Sequence, residues 1–553
     1  MYVRLIYIIQ MREHDVVSCH VLVIGSGGAG ARAAIEAEKY GDTLLVSKSV
    51  VGKGGCTPMA EGGYNAVLRA GDSCVLHEED TLRGGAYLND PELVQVLVQE
   101  SPERFMELVQ WGALFDVSLD NTPAQRSFGG QKFPRTCYAG DRSGHEMMLT
   151  LIEHLRNSQV QMLQETAVIE LLKEGNAVIG AVGMDVRSGA LTLIRADCTV
   201  LATGGGTRMF DISTNSATGT GDGYTLGYRA GAELIDMEMV QFHPTGAVYP
   251  YDARGRLVTE AVRGEGGILL NARDERFMAF YDPERMELST RDVVSRAIAT
   301  EVEEGRGTAR KGVYLDVTHL PAEKIEQRLP VMLEQFLKFG VDIRREPMEV
   351  APTAHHIMGG LRITPECKTT LPGLCACGEV AGGVHGANRL GGNALAETQV
   401  FGKRAGESAG KAPARLERID PLQIDAVENQ IEKFFNGGIP PQVISRRLQK
   451  AMWEDAGIFR TEEQLCRALS TIEDLISAPL CASAPQNIID CFTVRNMCTA
   501  ASLVVRSALL RPESRGAHVR RDIRQTWDAA NSPYGHTYIS FHDRGIMRRE
   551  VVE

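Results

Sequence analysis

Residues His20–Gly41 read HVLVIGSGGAGARAAIEAEKYG. Val21–Ile24 is an apolar run of strand length, Gly25, Gly27 and Gly30 follow at G-x-G-x-x-G spacing, and Ala31–Tyr40 has the pattern of a helix closed by Gly41. Glycines so spaced let the backbone approach a pyrophosphate, whose charge then rests on the helix N-terminus. The stretch therefore predicts the strand, turn and helix that open a Rossmann-like α/β fold. A second strand over Thr43–Val46 brings Ser47 and Lys48 to the position where such folds contact an adenosine ribose. An acidic residue is usual there, so ribose recognition by a carboxylate is not secured.

A second glycine turn ends TVLATGGG, Thr199–Gly206. Between the two turns, alternating apolar residues from Ala167 to Val200 predict an inserted β-meander. A dinucleotide fold with such an insertion resembles the flavoproteins with two dinucleotide motifs and implies FAD more than NAD. The expected organisation is an FAD-binding domain over 1–239, an α+β capping domain over 240–353 carrying a dense set of His, Arg and Glu among short strands, a return to the FAD-binding domain over 354–413, and a helical C-terminal domain over 414–553. The helical pattern is expected from about Leu416 onward.

Composition bounds the alternatives. With 553 residues, 43% hydrophobic, the chain can bury large cores. A net charge of −12 repels phosphate backbones and excludes nucleic acid as an expected partner, and a small anion needs a focused cationic pocket. No apolar run approaches the roughly 20 residues of a membrane span, so no direct membrane insertion is expected. The opening Met1–Gln10 reads as an edge strand or as a tail ahead of an alternative start at Met11, without a signal-peptide cleavage site. The expected compartment is the cytoplasm. The 12 cysteines include no Cys-x-x-Cys, which leaves no metal or iron–sulfur site on this chain.

Five further segments carry a resemblance: VQFHPTG (Val240–Gly246), VTEAVRGEGG (Val258–Gly267), LSTRDVVSRAI (Leu288–Ile298), AHHIMGG (Ala354–Gly360) and HGANRLGGNAL (His385–Leu395). In this order they resemble the flavoprotein subunit of the succinate dehydrogenase and fumarate reductase family, and RSALLRPESRGAH (Arg506–His518) agrees. The chemistry is consistent with the residue types, because adding hydride to a dicarboxylate double bond needs cations at both carboxylates and an acid. The resemblance implies that His243 and Thr259 bind one carboxylate, that His355 and Arg389 bind the other, that flavin N5 delivers hydride, and that Arg291 donates the proton. Glu260 and Arg263, three apart, match the family's proton path. An arginine acid is plausible only with transient, relayed proton loss, since guanidinium deprotonates only above a pKa of about 12. Taken singly, His243-Pro244 reads as a turn, Thr259 and Glu260 as a helix cap, and Arg291-Asp292 as a surface pair.

For FAD the resemblance implies that Gly25, Ser26, Gly27, Gly28, Ala29 and Gly30 face the pyrophosphate, with Ser47 and Lys48 near the ribose. Ala167 and Val168 match an adenine-contacting pair, and plain meander core is the alternative for both. Asp222 and Glu379 match positions that hydrogen-bond the cofactor, and Arg389, Asn393, Ala394 and Leu395 match a segment under the isoalloxazine. GGCTPMAEGG, Gly54–Gly63, aligns with the family's Ser-His-Thr segment. It makes Gly55, Cys56, Thr57, Ala60, Glu61, Gly62 and Gly63 a cradle, with Cys56 on the histidine that elsewhere bonds the flavin. Noncovalent FAD, a cysteinyl–flavin bond and a redox-active Cys56 are the three readings.

His356 stands where the family carries Tyr, which puts one substrate hydrogen bond in doubt, and the tail beyond His518 leaves little room for extra structure. L-aspartate oxidase is the rival within the fold, opposed by FGGQKFPRTCYAGDRSGHEM (Phe128–Met147), and the rival of another class is a flavin electron-transfer or tRNA-modifying module that shares the fold but reduces no dicarboxylate. With no cluster ligands here, the resemblance implies a partner, a separate iron–sulfur subunit, and fumarate or succinate as substrate. Family members couple to quinones, cytochromes or, in methanogenic archaea, the thiols coenzyme M and coenzyme B. The missing membrane features and Cys56 resemble that thiol-coupled branch.

Overall fold

The computed structural model describes residues 14–414, 419–525, 527–540 and 547–551. Met1–Gln10, Met11 and Leu416 lie outside them. The opening motif folds as a strand, Asp15–Ile24, whose last four residues are buried, followed by a helix over Gly28–Ala37. The helix starts three residues earlier than the pattern suggested, because Gly27 serves as its N-cap. It also stops before Gly41, which is not its cap. Gly41 is small for another reason, since a Cβ there would come within 2.9 Å of the His20 ring.

Asp15–Ile24 pairs in parallel with Thr43–Val46 on one side and Leu191–Leu201 on the other. Leu191–Leu201 is also the last strand of the antiparallel meander Thr166–Glu174, Ala177–Asp185 and Leu191–Leu201. One strand thus belongs to both the dinucleotide sheet and the insertion. Leu374–Ala376 joins the same sheet, parallel to it, from far downstream in the chain. Strand ends and glycine turns from both halves of the sequence therefore meet along one edge, as expected where open α/β sheets hold ligands.

A second hydrophobic cluster, from Ala247 to Val350, lies apart from the main one. Its sheet includes two adjacent ten-residue strands, Val240–Tyr249 and Met348–Ile357, rather than short strands alone. These two pair antiparallel, so that Gln241 sits opposite His356 and His243 opposite Thr353.

The C-terminal region is helical over Pro421–Phe434, Pro441–Asp455, Glu462–Ser477 and Pro485–Leu510. Among the described residues, one helical stretch, Asn487–Leu510, is long and apolar enough by composition to cross a membrane, contrary to the sequence reading, but 78% of its apolar window is buried inside the molecule. It packs on Glu462–Ser477, Pro441–Asp455 and Asp222–Ala230, as a core helix does. The tail also holds more structure than its length suggested. Tyr534–Ile539 pairs with Leu234–Ile235, and Met547–Val551 pairs with Tyr534–Ile539 in turn.

Candidate functional site

One cavity of about 880 Å³ runs from the glycine turns to the strand pair Val240–Tyr249 and Met348–Ile357. At one end its wall is mostly backbone. The helix Gly28–Ala37 has no side-chain cap and no acid in its first turn, and Gly27, Gly28 and Ala29 line the cavity. Helix Asn393–Gly410 also starts uncapped, behind Gly392 in the left-handed region at φ +85°. N–H groups at helix starts attract anions; the Gly28 N–H donates to Thr57 Oγ1 at 3.0 Å, and two helix starts on one cavity suit a long diphosphate cofactor. FAD therefore fits the residues present.

Most of the expected cofactor residues line this cavity: Gly25, Ser26, Ser47, Lys48, Gly55, Cys56, Thr57, Ala60, Glu61, Gly62, Gly63, Ala167, Val168, Asp222, Glu379, Ala394 and Leu395. Two do not. Gly30 faces its own turn, where a Cβ would lie 1.8 Å from the Gly25 carbonyl oxygen, so its smallness serves helix packing. Asn393 turns away from the cavity, donating to Thr81 at 3.0 Å and meeting Asn65 at 2.7 Å and His77 at 2.9 Å. Lys48 reaches Asp222 at 3.1 Å and Thr493 at 2.7 Å, so the cation in the usual ribose-acid position carries its own carboxylate. Burial alone would raise Asp222, but Lys48, Asn496 and Thr220 hold it below the usual range.

Cys56 is partly exposed on the cavity wall. Burial and then Glu379 push its thiol up to about 12. At neutral pH it is a protonated thiol and a weak nucleophile. Among the described residues, no group of three His, Cys, Asp or Glu is placed to hold a metal ion.

The other end is built from buried charge. His243 lies within a strand rather than a turn, 1% exposed, and its ring centroid is 5.1 Å from that of His355. Thr214 meets His355 Nδ1 at 2.7 Å. Thr259 does cap the short helix Glu260–Gly264, accepting from the Ala261 N–H, and it lines the cavity as well. Arg291 is no surface pair: it donates to Glu260 from Nε at 2.8 Å. Glu260 accepts a further bond from the Gly129 N–H at 2.7 Å. Burial alone would raise Glu260, and Arg291 and Arg263 together hold it low.

Arg263 does not line the cavity. It lies behind Glu260 at 3.9 Å and donates to the Glu287 carbonyl at 2.6 Å. Glu287 in turn binds Arg276, whose side chain is 47% exposed. Arg291, Glu260, Arg263, Glu287 and Arg276 thus form a line from the cavity to the surface.

Gln241 is the residue that sequence reasoning passed over. Its Oε1 accepts from Arg291 and from Arg389 at 3.2 Å each, while Nε2 donates to Asn388 and to the Arg389 carbonyl. It stands inside the quoted VQFHPTG, but its neighbours come from 50 and 148 positions away. His356 also lines the cavity, 3.5 Å from Glu379, and burial followed by Arg389 pushes it well below 6.5. His243 and His355 are pushed down by burial and then Arg291, so all three rings are neutral at pH 7.

The family described as "FAD binding domain" matches residues 20–395, and that described as "Fumarate reductase flavoprotein C-term" matches 445–548. The chain is 51% identical over 526 residues to a chain of the fumarate reductase (CoM/CoB) of Methanothermobacter marburgensis, covering 93% of this chain and 96% of that protein. It is 36% identical to the mitochondrial succinate dehydrogenase (ubiquinone) flavoprotein subunit of Oryza sativa subsp. japonica, over 91% of this chain and 85% of that one. Among solved structures, an E. coli quinol fumarate reductase chain superposes with a TM-score of 0.90 at 35% identity, covering 98% of this chain and 97% of the other.

Proposed function

This chain belongs to the family of succinate dehydrogenase and fumarate reductase flavoprotein subunits, FAD-dependent oxidoreductases, and from that premise we propose that it reduces fumarate to succinate. The observation that carries the substrate class is the cluster of buried cations at the inner end of the cavity. Arg291 and Arg389 line it together, Arg263 stands behind Glu260, and Arg389 stays lowered by burial and Arg291 despite Glu379, Glu397 and Glu260. A dicarboxylate supplies the missing negative charge.

In this reading the neutral rings of His243 and His355, with Thr259 and Arg389, grip the two carboxylates, and Gln241 holds the Arg291 and Arg389 guanidinium groups at a fixed spacing. Arg291 donates the proton, Glu260 returns one to it, and Arg263 connects Glu260 with Glu287 and the exposed Arg276. Positioned charge and a general acid each contribute about 10²–10⁴ in rate. FAD, when bound between the two helix starts, supplies the hydride. The protonated Cys56 supports noncovalent FAD. Electrons arrive from a separate iron–sulfur subunit, and the 51% identity to a chain named for coenzyme M and coenzyme B favours those thiols as donor.

The test is reoxidation of viologen-reduced holoprotein by fumarate. The wild type turns over, and Arg291→Ala loses roughly 10³-fold; retention of most of the rate would remove Arg291 as the acid. After acid precipitation the yellow colour stays in the supernatant, and colour on the pellet would overturn noncovalent binding.

A further inference from the structure

The cavity has a rim whose charge is one-sided. Among the described residues that line it, those open to solvent are Met59, Arg142, His145, Arg254 and Arg256. None is a carboxylate, in a chain whose net charge is −12. Arg254 and Arg256 flank Gly255, which lies in the left-handed region at φ +82°, a few residues before Thr259. Arg256 rests its guanidinium on the Phe339 ring at 5.1 Å, which positions the group without neutralising it. Arg254 lies 3.5 Å from Asp211, a pair about half exposed on both sides and so weakly coupled.

Two acids that also line the cavity, Glu61 and Asp141, are raised by burial, which weakens their opposition to this charge. Burial, and then Asp141, hold the Glu61 carboxyl well above its usual range. Asp141 is turned to the backbone, accepting from the Val331 and Met332 N–H groups at 3.0 Å each. A small dianion approaching the molecule is repelled by its overall charge and attracted at this opening. A mouth lined by one sign of charge raises the association rate of an oppositely charged ligand by about 10–10³, and screening by salt removes the gain.

We propose that Arg142, Arg254 and Arg256 form an outer anion-collecting site that captures dicarboxylate dianions and passes them inward to His243, Thr259, His355 and Arg389. The inference rests on the fumarate reading for the identity of the dianion. It assigns the rim arginines no part in the chemical step.

The experiment is steady-state fumarate reduction by the holoprotein, from low to high ionic strength, in wild type, the triple variant R142Q/R254Q/R256Q and the charge-keeping R142K/R254K/R256K. At low salt the Gln variant loses about tenfold in kcat/KM, with the loss in KM rather than kcat, and the Lys variant retains the wild-type value. Added salt lowers wild-type kcat/KM toward that of the Gln variant, whose own salt dependence is nearly flat. A Gln variant that matches the wild type in kcat/KM and in salt dependence overturns the collecting site. So does a loss that falls equally on the Lys variant, which would mark a role in packing. A wild type that does not reduce fumarate removes the parent reading instead. In that case stopped-flow association of succinate, read by flavin absorbance in the same three proteins, tests the rim alone: equal rates in all three overturn it.

Discussion

Two clusters of buried arginine differ in one respect that separates scaffold from site. At the seam between the C-terminal segment and the strand Leu234–Ile235, Arg511 is fully buried and meets Glu238, Glu513 and Asp236. Burial alone would lower its pKa, and the three carboxylates raise it instead. At the inner end of the cavity the balance is reversed. Burial and then Arg291 push Arg389 down to about 9, and Arg263 is lowered by burial despite Glu260. Arg389 Nε and Arg263 Nε and Nη2 are buried without hydrogen-bond partners. A buried ion is costly unless paired, so a cluster left short of negative charge is either a defect or a place kept for an anionic ligand. Convergence of Arg291 and Arg389 on a cavity beside His243 and His355, with Arg263 behind Glu260, favours the second.

The sharpest way to break this comparison is to remove one arginine from each cluster. Arg511→Met strands three buried carboxylates, and denaturant unfolding should show a loss of about 3–5 kcal/mol, as when one partner of a buried pair is removed. Arg389→Gln should have the opposite sign in the ligand-free protein, since it relieves an uncompensated cation. An equal loss of stability in both variants would end the distinction.

A smaller effect sharpens it. Succinate at about 100 times its Kd should stabilise the wild-type holoprotein by about 2.7 kcal/mol, seen as a rise in Tm. Arg389→Gln should lose most of that rise at the same succinate concentration. Unchanged stabilisation would show that the dianion binds elsewhere.

The two ends of the cavity were unequally legible in the sequence. The cofactor end is made of contiguous backbone, so Gly25–Ala29, Thr43–Val46 and the meander could be read from spacing and alternation alone. Even there, residues within a recognised motif were assigned one role too many: Gly30 packs its helix and Asn393 serves a buried amide network. At the substrate end, resemblance supplied the side chains but not the groups that hold them. Gln241 joins two arginines far apart in the chain, and the Gly129 bond to Glu260 uses a backbone N–H, which no residue type announces. Tyr534–Ile539 was missed because its partner, Leu234–Ile235, lies far upstream, in the first half of the chain.

The smallest effect concerns the titration of the cavity wall. Burial pushes Glu379 from 4.5 up to about 7, while it accepts the Ile357 N–H at 3.0 Å and faces Arg389, Glu397 and His356. A carboxyl whose folded pKa is raised contributes stability that is fully present below about 4.5 and is lost as pH rises through about 7. His243, His355 and His356 act in the other direction. Their folded values lie well below 6.5, so their contribution is present above 6.5 and lost as pH falls. The two opposed contributions of these cavity-wall groups overlap between about 4.5 and about 7. In Glu379→Gln the acid flank should remain, because the histidines set it, while the loss between about 4.5 and about 7 that belongs to Glu379 should vanish. Thermal unfolding across that range decides the matter. Parallel wild-type and variant curves would mean that Glu379 is solvated or paired strongly enough to titrate near its ordinary value, and that the cavity wall carries less uncompensated burial than the arginine cluster beside it.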